Sequence, residues 1–270
     1  MHRVLGLMTC FNRKEKTINS IISLIKNNPD IMFRFIVVDD NSSDGTPEEL
    51  RKIDEVRVIQ GNGSLYYSGG MRAAIDEALK EKEEFEYCLL FNDDVDFFPH
   101  ALEKMADDIS ADILVGATCD NEGALSYGGV IRTSRLRPSY EIIDWTSARS
   151  ESCDTFNANC VLIKWAVFEN LGNMDPVYTH SMGDFDYGFM ALKKGYSIKV
   201  HKGYIGTCID NPVSGGWRDK TLPRLIRIKK KESPKGLPTK EWFHYLNKNY
   251  SFVTACIYSV IPYVRIILKK

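Results

Sequence analysis

The chain has 270 residues, 44% hydrophobic and 26% charged, which suits one large domain or one domain with an appendage. Its net charge of −1 hides an asymmetry: residues 221–270 carry 11 Lys/Arg against 2 Asp/Glu, whereas residues 1–220 carry 24 against 34. An acidic main body argues against a nucleic-acid partner, and a basic end segment fits attachment to an anionic membrane surface.

RVLGLMTC at the start reads as a buried strand. It is followed by NRKEK, without the length or small-residue cleavage pattern of a signal peptide. KTINSIISLIKNN places Ile18, Ile21, Ile22 and Ile25 at helical spacing. FRFIVVDD is a second strand, TPEELRKI a short helix, VRVIQ a third strand, SGGMRAAIDEALKEK a helix and EYCLLF a fourth strand. This alternation predicts a largely parallel sheet covered by helices on both faces, with ligands beyond the carboxyl ends of its strands. Three polar clusters fall at those ends: Thr9 to Arg13, Asp39-Asp40-Asn41 and Asn92-Asp93-Asp94. They are expected to converge on one rim.

Beyond residue 110, DILVGATC reads as a strand, NEGALSYGGVIR as a hairpin, DTFNANCVLIK as one strand and WAVFENLG as a helix. DFDYGFMALKKG is a helix closed by Gly195, and after the strand YSIKV the chain turns to loop. Residues 250–268, YSFVTACIYSVIPYVRIIL, are long enough to span a bilayer, but Pro262 and Arg265 interrupt the apolar run. The alternatives are an interfacial helix, or a helix packed on the main body or at a homodimer interface. Seven scattered cysteines with no CxxC pair read as a reduced, cytoplasmic protein. The expected location is therefore the cytoplasm, or the cytoplasmic face of the membrane.

Four stretches have the composition for chemistry. VVDDNSSDGT follows a strand, so its carboxylates can accept from a nucleobase or ribose, or simply close an Asx turn. In FNDDVDFF, Asp93 and Asp94 are candidates for a hard divalent cation completed by substrate phosphate, while Asp96 is expected to steady the helix that Pro99 opens. GNGSLYYSGG lacks the third glycine of a dinucleotide fingerprint, and Gly69-Gly70 serves either close backbone approach to a ligand or plain turn chemistry. Asp184 and Asp186 in MGDFDYGFMALKKGY are either helix caps or, for one of them, a general base. His180 and His201 are isolated and read as ordinary polar histidines.

Together VLGLMTCFNR, FIVVDDNSSDGT, LLFNDDV, NANCVLIKWAVFENLGNMD and MGDFDYGFMALKKGYSI resemble, in order, the inverting GT-A-type glycosyltransferases of family 2, of the bacterial rhamnosyltransferase or polysaccharide-assembly kind. The resemblance covers roughly residues 3–200. It implies an α/β GT-A fold: a Rossmann-like, mostly parallel sheet flanked by helices, with a C-terminal helical extension. The catalytic domain would span 1–220, with a nucleotide-binding half (1–110) and an acceptor half (111–220), and the extension 221–270. It implies Thr9, Phe11 and Asp40 as nucleoside contacts, and Asp93 and Asp94 facing ribose and diphosphate. Asp94 would be the ligand of a Mg²⁺ or Mn²⁺ ion. Asp184 would be the catalytic base, with Asn157 and Asn159 around the sugar and acceptor pocket. Apart from the resemblance, Tyr66, Tyr67 and Trp217 are aromatic candidates to line the sugar pocket. The implied partners are a nucleotide-sugar donor and a glycan or polyprenyl-diphosphate-linked acceptor. Two departures stand out: Gly183 replaces the acid that usually precedes the base, and Gly206-Thr207-Cys208 stands where many relatives have a metal-binding histidine. A sugar nucleotidyltransferase, a phospho-acceptor module and a nucleotide-sugar-binding protein without transferase activity are the competing classes. TCFNRKEK is not the Gly-rich loop of the first, and the 150–200 segment has no use in the second.

Overall fold

The computed structural model describes residues 1–82, 84–147, 151–209 and 214–268. Strands β1 (His2–Cys10), β2 (Ile31–Asp39), β3 (Val56–Gln60) and β4 (Tyr87–Phe91) run parallel in the order β3-β2-β1-β4. They are joined by helices α1 (Lys14–Asn27), α2 (Thr46–Leu50) and α3 (Tyr66–Ala78). Strand alternation divides the core. Leu5, Leu7, Ile36 and Val38 face Met71, Ala74 and Ile75 of α3. Val4, Met8, Phe35 and Val37 face Ile21 and Leu24 of α1. Burial on both faces is why these strands are continuous apolar runs.

The second half contributes β5 (Asp96–Phe97), α4 (Ala101–Asp107), β6 (Ile113–Cys119), β7 (Leu125–Tyr127), β8 (Gly129–Arg132), β9 (Tyr140–Ile143) and β10 (Thr155–Phe156). Then come β11 (Cys160–Lys164), α5 (Trp165–Leu171), α6 (Gly183–Lys193) and β12 (Ile198–Thr207). The large sheet continues β4-β11-β6-β12-β5, with β7 beside β6, and β10-β8-β9 form a small second sheet.

DTFNANCVLIK is therefore two strands in two sheets rather than one. Cys160 pairs with Phe91 at the rim end of β4, so β11 runs antiparallel to both of its neighbours and the sheet is mixed. The corner Asn157–Asn159 lies at the rim, where Asn159 O accepts from Asn92 N at 3.2 Å.

Asp96 does not steady the following helix: it sits in β5 opposite Thr207, with its side chain exposed. The first turn of α4 is satisfied from α1's end instead, Asn28 Oδ1 accepting from Leu102 N at 2.8 Å.

The C-terminal segment forms α7 (Arg224–Lys231), α8 (Thr239–Asn249) and α9 (Phe252–Ile267). Trp242, Tyr245 and Leu246 of α8 pack with Tyr178 and with Phe189 of α6. Helix α9 buries Ala255, Ser259, Pro262 and Ile266, and exposes Val253, Ile257, Val260, Val264 and Ile267. Among the described residues no helix is long and apolar enough to cross a membrane.

Candidate active site

The three strand-end clusters do meet. Asp40 N donates to Cys10 O at 2.9 Å, Asn12 N to Ser42 Oγ at 2.8 Å and Ser43 N to Asn12 Oδ1 at 2.8 Å. Asn12 (φ 51°) and Asn41 (φ 65°) take the left-handed conformation these tight exits need, which asparagine tolerates better than most residues. Thr9 Oγ1 donates to Val38 O at 3.1 Å, and α3 descends directly upon it. A Cβ on Gly70 would lie 2.1 Å from Thr9 Oγ1, so this glycine serves packing between helix and strand. Phe11 is 48% exposed beside these groups.

Asp40 is heavily engaged. Its Oδ1 accepts from Gly63 N at 2.8 Å, and its Oδ2 from Leu65 N at 2.9 Å and Tyr66 N at 3.0 Å. A carboxylate offers about four acceptor sites, so about one remains for a further donor. The same bonds satisfy backbone donors at the start of α3.

At the end of β4, Arg13 Nη1 donates to Asp93 Oδ1 at 2.5 Å and to Asp94 Oδ2 at 3.2 Å. Asp93 is nearly buried, and burial, opposed by Arg13, pushes its carboxyl up to about 6. Asp94 Oδ1 accepts from Cys208 Sγ at 3.7 Å, and Asn159 Nδ2 donates to the same sulfur at 3.4 Å. Cys208 thus stands beside the acidic pair, and the buried Asn159 braces it.

Among the described residues no group of three His, Cys, Asp or Glu side chains is arranged to hold a metal ion. Asp94 offers hard carboxylate oxygen, which suits a Mg²⁺ or Mn²⁺ ion completed by diphosphate and water, but Arg13 holds that carboxylate in this arrangement.

Asp184 enters from the first turn of α6. Its Oδ1 accepts from Phe185 N at 2.8 Å and its Oδ2 from Ala158 N at 3.3 Å, in the corner between β10 and β11. Burial pushes its carboxyl up to about 6 despite these bonds. Two buried polar atoms in this neighbourhood, Tyr67 Oη and Asn157 Oδ1, have no hydrogen-bond partner among the described residues. Tyr67 lies close enough to feel the charge of Asp184. Orphaned buried polar atoms are costly unless a ligand or water completes them.

Gly183 also has a structural reason. A Cβ there would sit 2.5 Å from Ser68 Oγ of α3, so a side chain before Asp184 would press on that helix. Asp186 faces away from the rim, toward Lys248 and Asn249. Trp217 is half-buried, its carbonyl accepting from Arg227 Nε at 2.9 Å and Arg218 lying 5.1 Å from its ring centroid. Among the described residues its hydrogen-bond and ring partners are Arg227 and Arg218, not Asp94 or Asp184.

Arg13 is the group that sequence reasoning passed over. Its signal was a cation at the N-terminus of α1, the end a helix dipole disfavours for positive charge.

A mixed α/β sheet with a carboxylate pair after its fourth strand, and a further carboxylate facing the same rim, defines a GT-A glycosyltransferase. The family model described as glycosyl transferase family 2 matches residues 7–149, and the chain belongs to that family. Among solved structures, TarS 1–349 of S. aureus is similar over 99% of this chain and 81% of its own, with TM-score 0.56 and 16% identity. Its complex with UDP-GlcNAc gives 0.56 and 17%, over 99% and 82%. The mannosyltransferase PcManGT from Pyrobaculum calidifontis, in complex with GDP-Man and Mn²⁺, gives 0.55 and 13%, over 99% and 74%. Comparison with curated proteins gave no match.

Proposed function

We propose that the chain is an inverting glycosyltransferase that moves a sugar from a nucleotide-sugar donor to a hydroxyl of a glycan or polyprenyl-diphosphate-linked acceptor, in cell-surface polysaccharide synthesis. The observation that carries this reading is Asp184: a carboxylate with its pKa raised to about 6, at the rim, next to two buried polar atoms that have no partner among the described residues. A general base works best with a pKa near the operating pH. The complexes of similar folds with UDP-GlcNAc and with GDP-Man support a nucleotide-sugar donor.

In the proposed reaction Asp184 takes the proton of the acceptor hydroxyl as that oxygen attacks the anomeric carbon. The bond from this carbon to the diphosphate breaks, its electron pair leaves with the nucleoside diphosphate, and the configuration inverts. Thr9, Phe11 and the remaining acceptor site of Asp40 hold the nucleoside, with Asp93 and Asp94 toward ribose and diphosphate. Tyr67 Oη and Asn157 Oδ1 receive sugar or acceptor hydroxyls, and Trp217 borders the pocket. A Mg²⁺ or Mn²⁺ ion beside Asp94, when bound, supplies Lewis-acid neutralisation of the leaving diphosphate.

Residues 221–270 form the extension to the catalytic domain. On this reading the exposed face of α9, with Arg265 on the same helix and Lys229 and Lys230 exposed on the adjoining α7, lies on the cytoplasmic face of an anionic membrane, within reach of a polyprenyl-linked acceptor.

The test is a transfer and binding assay against a panel of UDP-, dTDP- and GDP-sugars, with and without Mn²⁺. Binding and turnover of one donor class are expected. Failure to bind any member would refute the donor assignment.

A further inference from the structure

The arrangement around Arg13 has its own logic. One guanidinium nitrogen, Nη1, reaches both carboxylates, at 2.5 Å for Asp93 and 3.2 Å for Asp94. It therefore occupies the space between the two acids that a bridging cation would take. Side-chain exposure is 39% for Arg13, 20% for Asp94 and 7% for Asp93, so the guanidinium is the outermost member of the three.

Its backbone position offers no competing reason for a cation. Arg13 is the N-cap residue of α1, its carbonyl accepts from Thr17 N at 2.9 Å, and positive charge at that helix end is electrostatically disfavoured. The two acids are what hold it there. Lys16 also acts electrostatically on Asp93, but among the described residues only Arg13 bonds to both carboxylates.

We propose that Arg13 is a built-in counter-cation that competes with the divalent ion for Asp93 and Asp94, so that an ion enters the donor-free site only as the guanidinium withdraws. The proposal rests on the reading of Asp94 as the cation-side carboxylate. Two carboxylates and one guanidinium carry a net charge of −1. A divalent ion added with Arg13 still in place would meet a like charge within contact distance. A donor diphosphate arriving with the ion restores the balance and gives the displaced guanidinium a new anionic partner. Without donor, the wild-type site therefore binds the ion weakly. An arginine is suited to this exchange because it never loses its charge and its long stem reaches from a half-exposed base.

Mn²⁺ titration of the donor-free full-length chain, followed by electron paramagnetic resonance, tests this. Arg13→Gln is expected to bind Mn²⁺ at least about tenfold more tightly than wild type. Arg13→Lys, which keeps the charge, should stay within about threefold of wild type. Adding Asp94→Asn to Arg13→Gln should abolish the gain. Arg13→Met serves as the second uncharged variant if Arg13→Gln melts early. A folded uncharged variant whose Mn²⁺ affinity is unchanged or lower would overturn the proposal, as would Arg13→Lys gaining as much as Arg13→Gln. The wild-type chain's failure to bind any nucleotide sugar would sink the transferase reading alone, since the ratio of the Mn²⁺ affinities is measured without donor.

Discussion

Lys248 Nζ in α8 reaches Asp186 Oδ2 in α6 at 2.6 Å, two residues beyond Asp184. The same lysine holds Asp175 at 2.9 Å, and Asn249 Nδ2 donates to Asp186 Oδ1 at 2.8 Å. The C-terminal segment thus compensates a buried carboxylate in the helix that carries the candidate base. Breaking a buried pair from one side costs about 3–5 kcal/mol, less where a second partner remains. Lys248→Met is therefore expected to lower stability by about 2–4 kcal/mol in urea unfolding. A loss below about 0.5 kcal/mol, the range of an ordinary surface change, would show that the pair carries no weight.

Replacing Asp184 separates chemistry from binding. Asp184→Asn should lose about 10²–10⁴-fold in turnover while donor affinity, read by calorimetry, stays near wild type. Retained turnover in this variant would remove Asp184 from the base role.

The same carboxyl links stability to pH. Its folded-state pKa of about 6 lies above the usual 3.8, so between those values the folded chain holds a proton the unfolded chain has released. Stability from this group is thus present at low pH and falls as pH rises through that window. Asp184→Asn should gain about 1–3 kcal/mol over wild type at pH 7, and the gain should vanish below about pH 4. Wild-type kcat/KM should rise with pH along an acid limb near 6, because the base must be ionised. A flat profile between pH 5 and 8 would contradict the assignment.

The exposed face of α9 makes a further prediction. Changing Val253, Ile257, Val260 and Val264 together to serine should weaken sedimentation with anionic liposomes about tenfold or more, since each buried methylene contributes about 0.8 kcal/mol. The variant should keep its melting temperature, because these side chains lie outside the packed interior. Unchanged sedimentation would refute the membrane role of this face.

The first half of the chain is largely legible. Continuous apolar runs closed by Asx-rich turns located β1, β2 and β4, and their shared direction predicted the meeting of Thr9, Asp40 and Asp93 on one rim. The second half resisted because its strands are short and its partners distant. Thr155–Phe156 and Cys160–Lys164 read as one strand, since a three-residue polar corner leaves local periodicity almost intact. Asp96 misleads for a related reason: a two-residue strand has no periodicity, and the cap of α4 comes from Asn28, far away in sequence. The partnership of Arg13 with both acids joins residues 80 and 81 positions apart, and no spacing rule reports that.

Asp40 ties one part of the molecule to another. Its oxygens suspend the backbone of Gly63, Leu65 and Tyr66, and so fix where α3 begins and where Tyr67 presents its hydroxyl. The wall proposed for the nucleobase and the wall proposed for the sugar are therefore hinged on a single side chain. A change that retunes one is transmitted to the other, so base preference and sugar preference in this enzyme would be inherited together and re-engineered only as a pair.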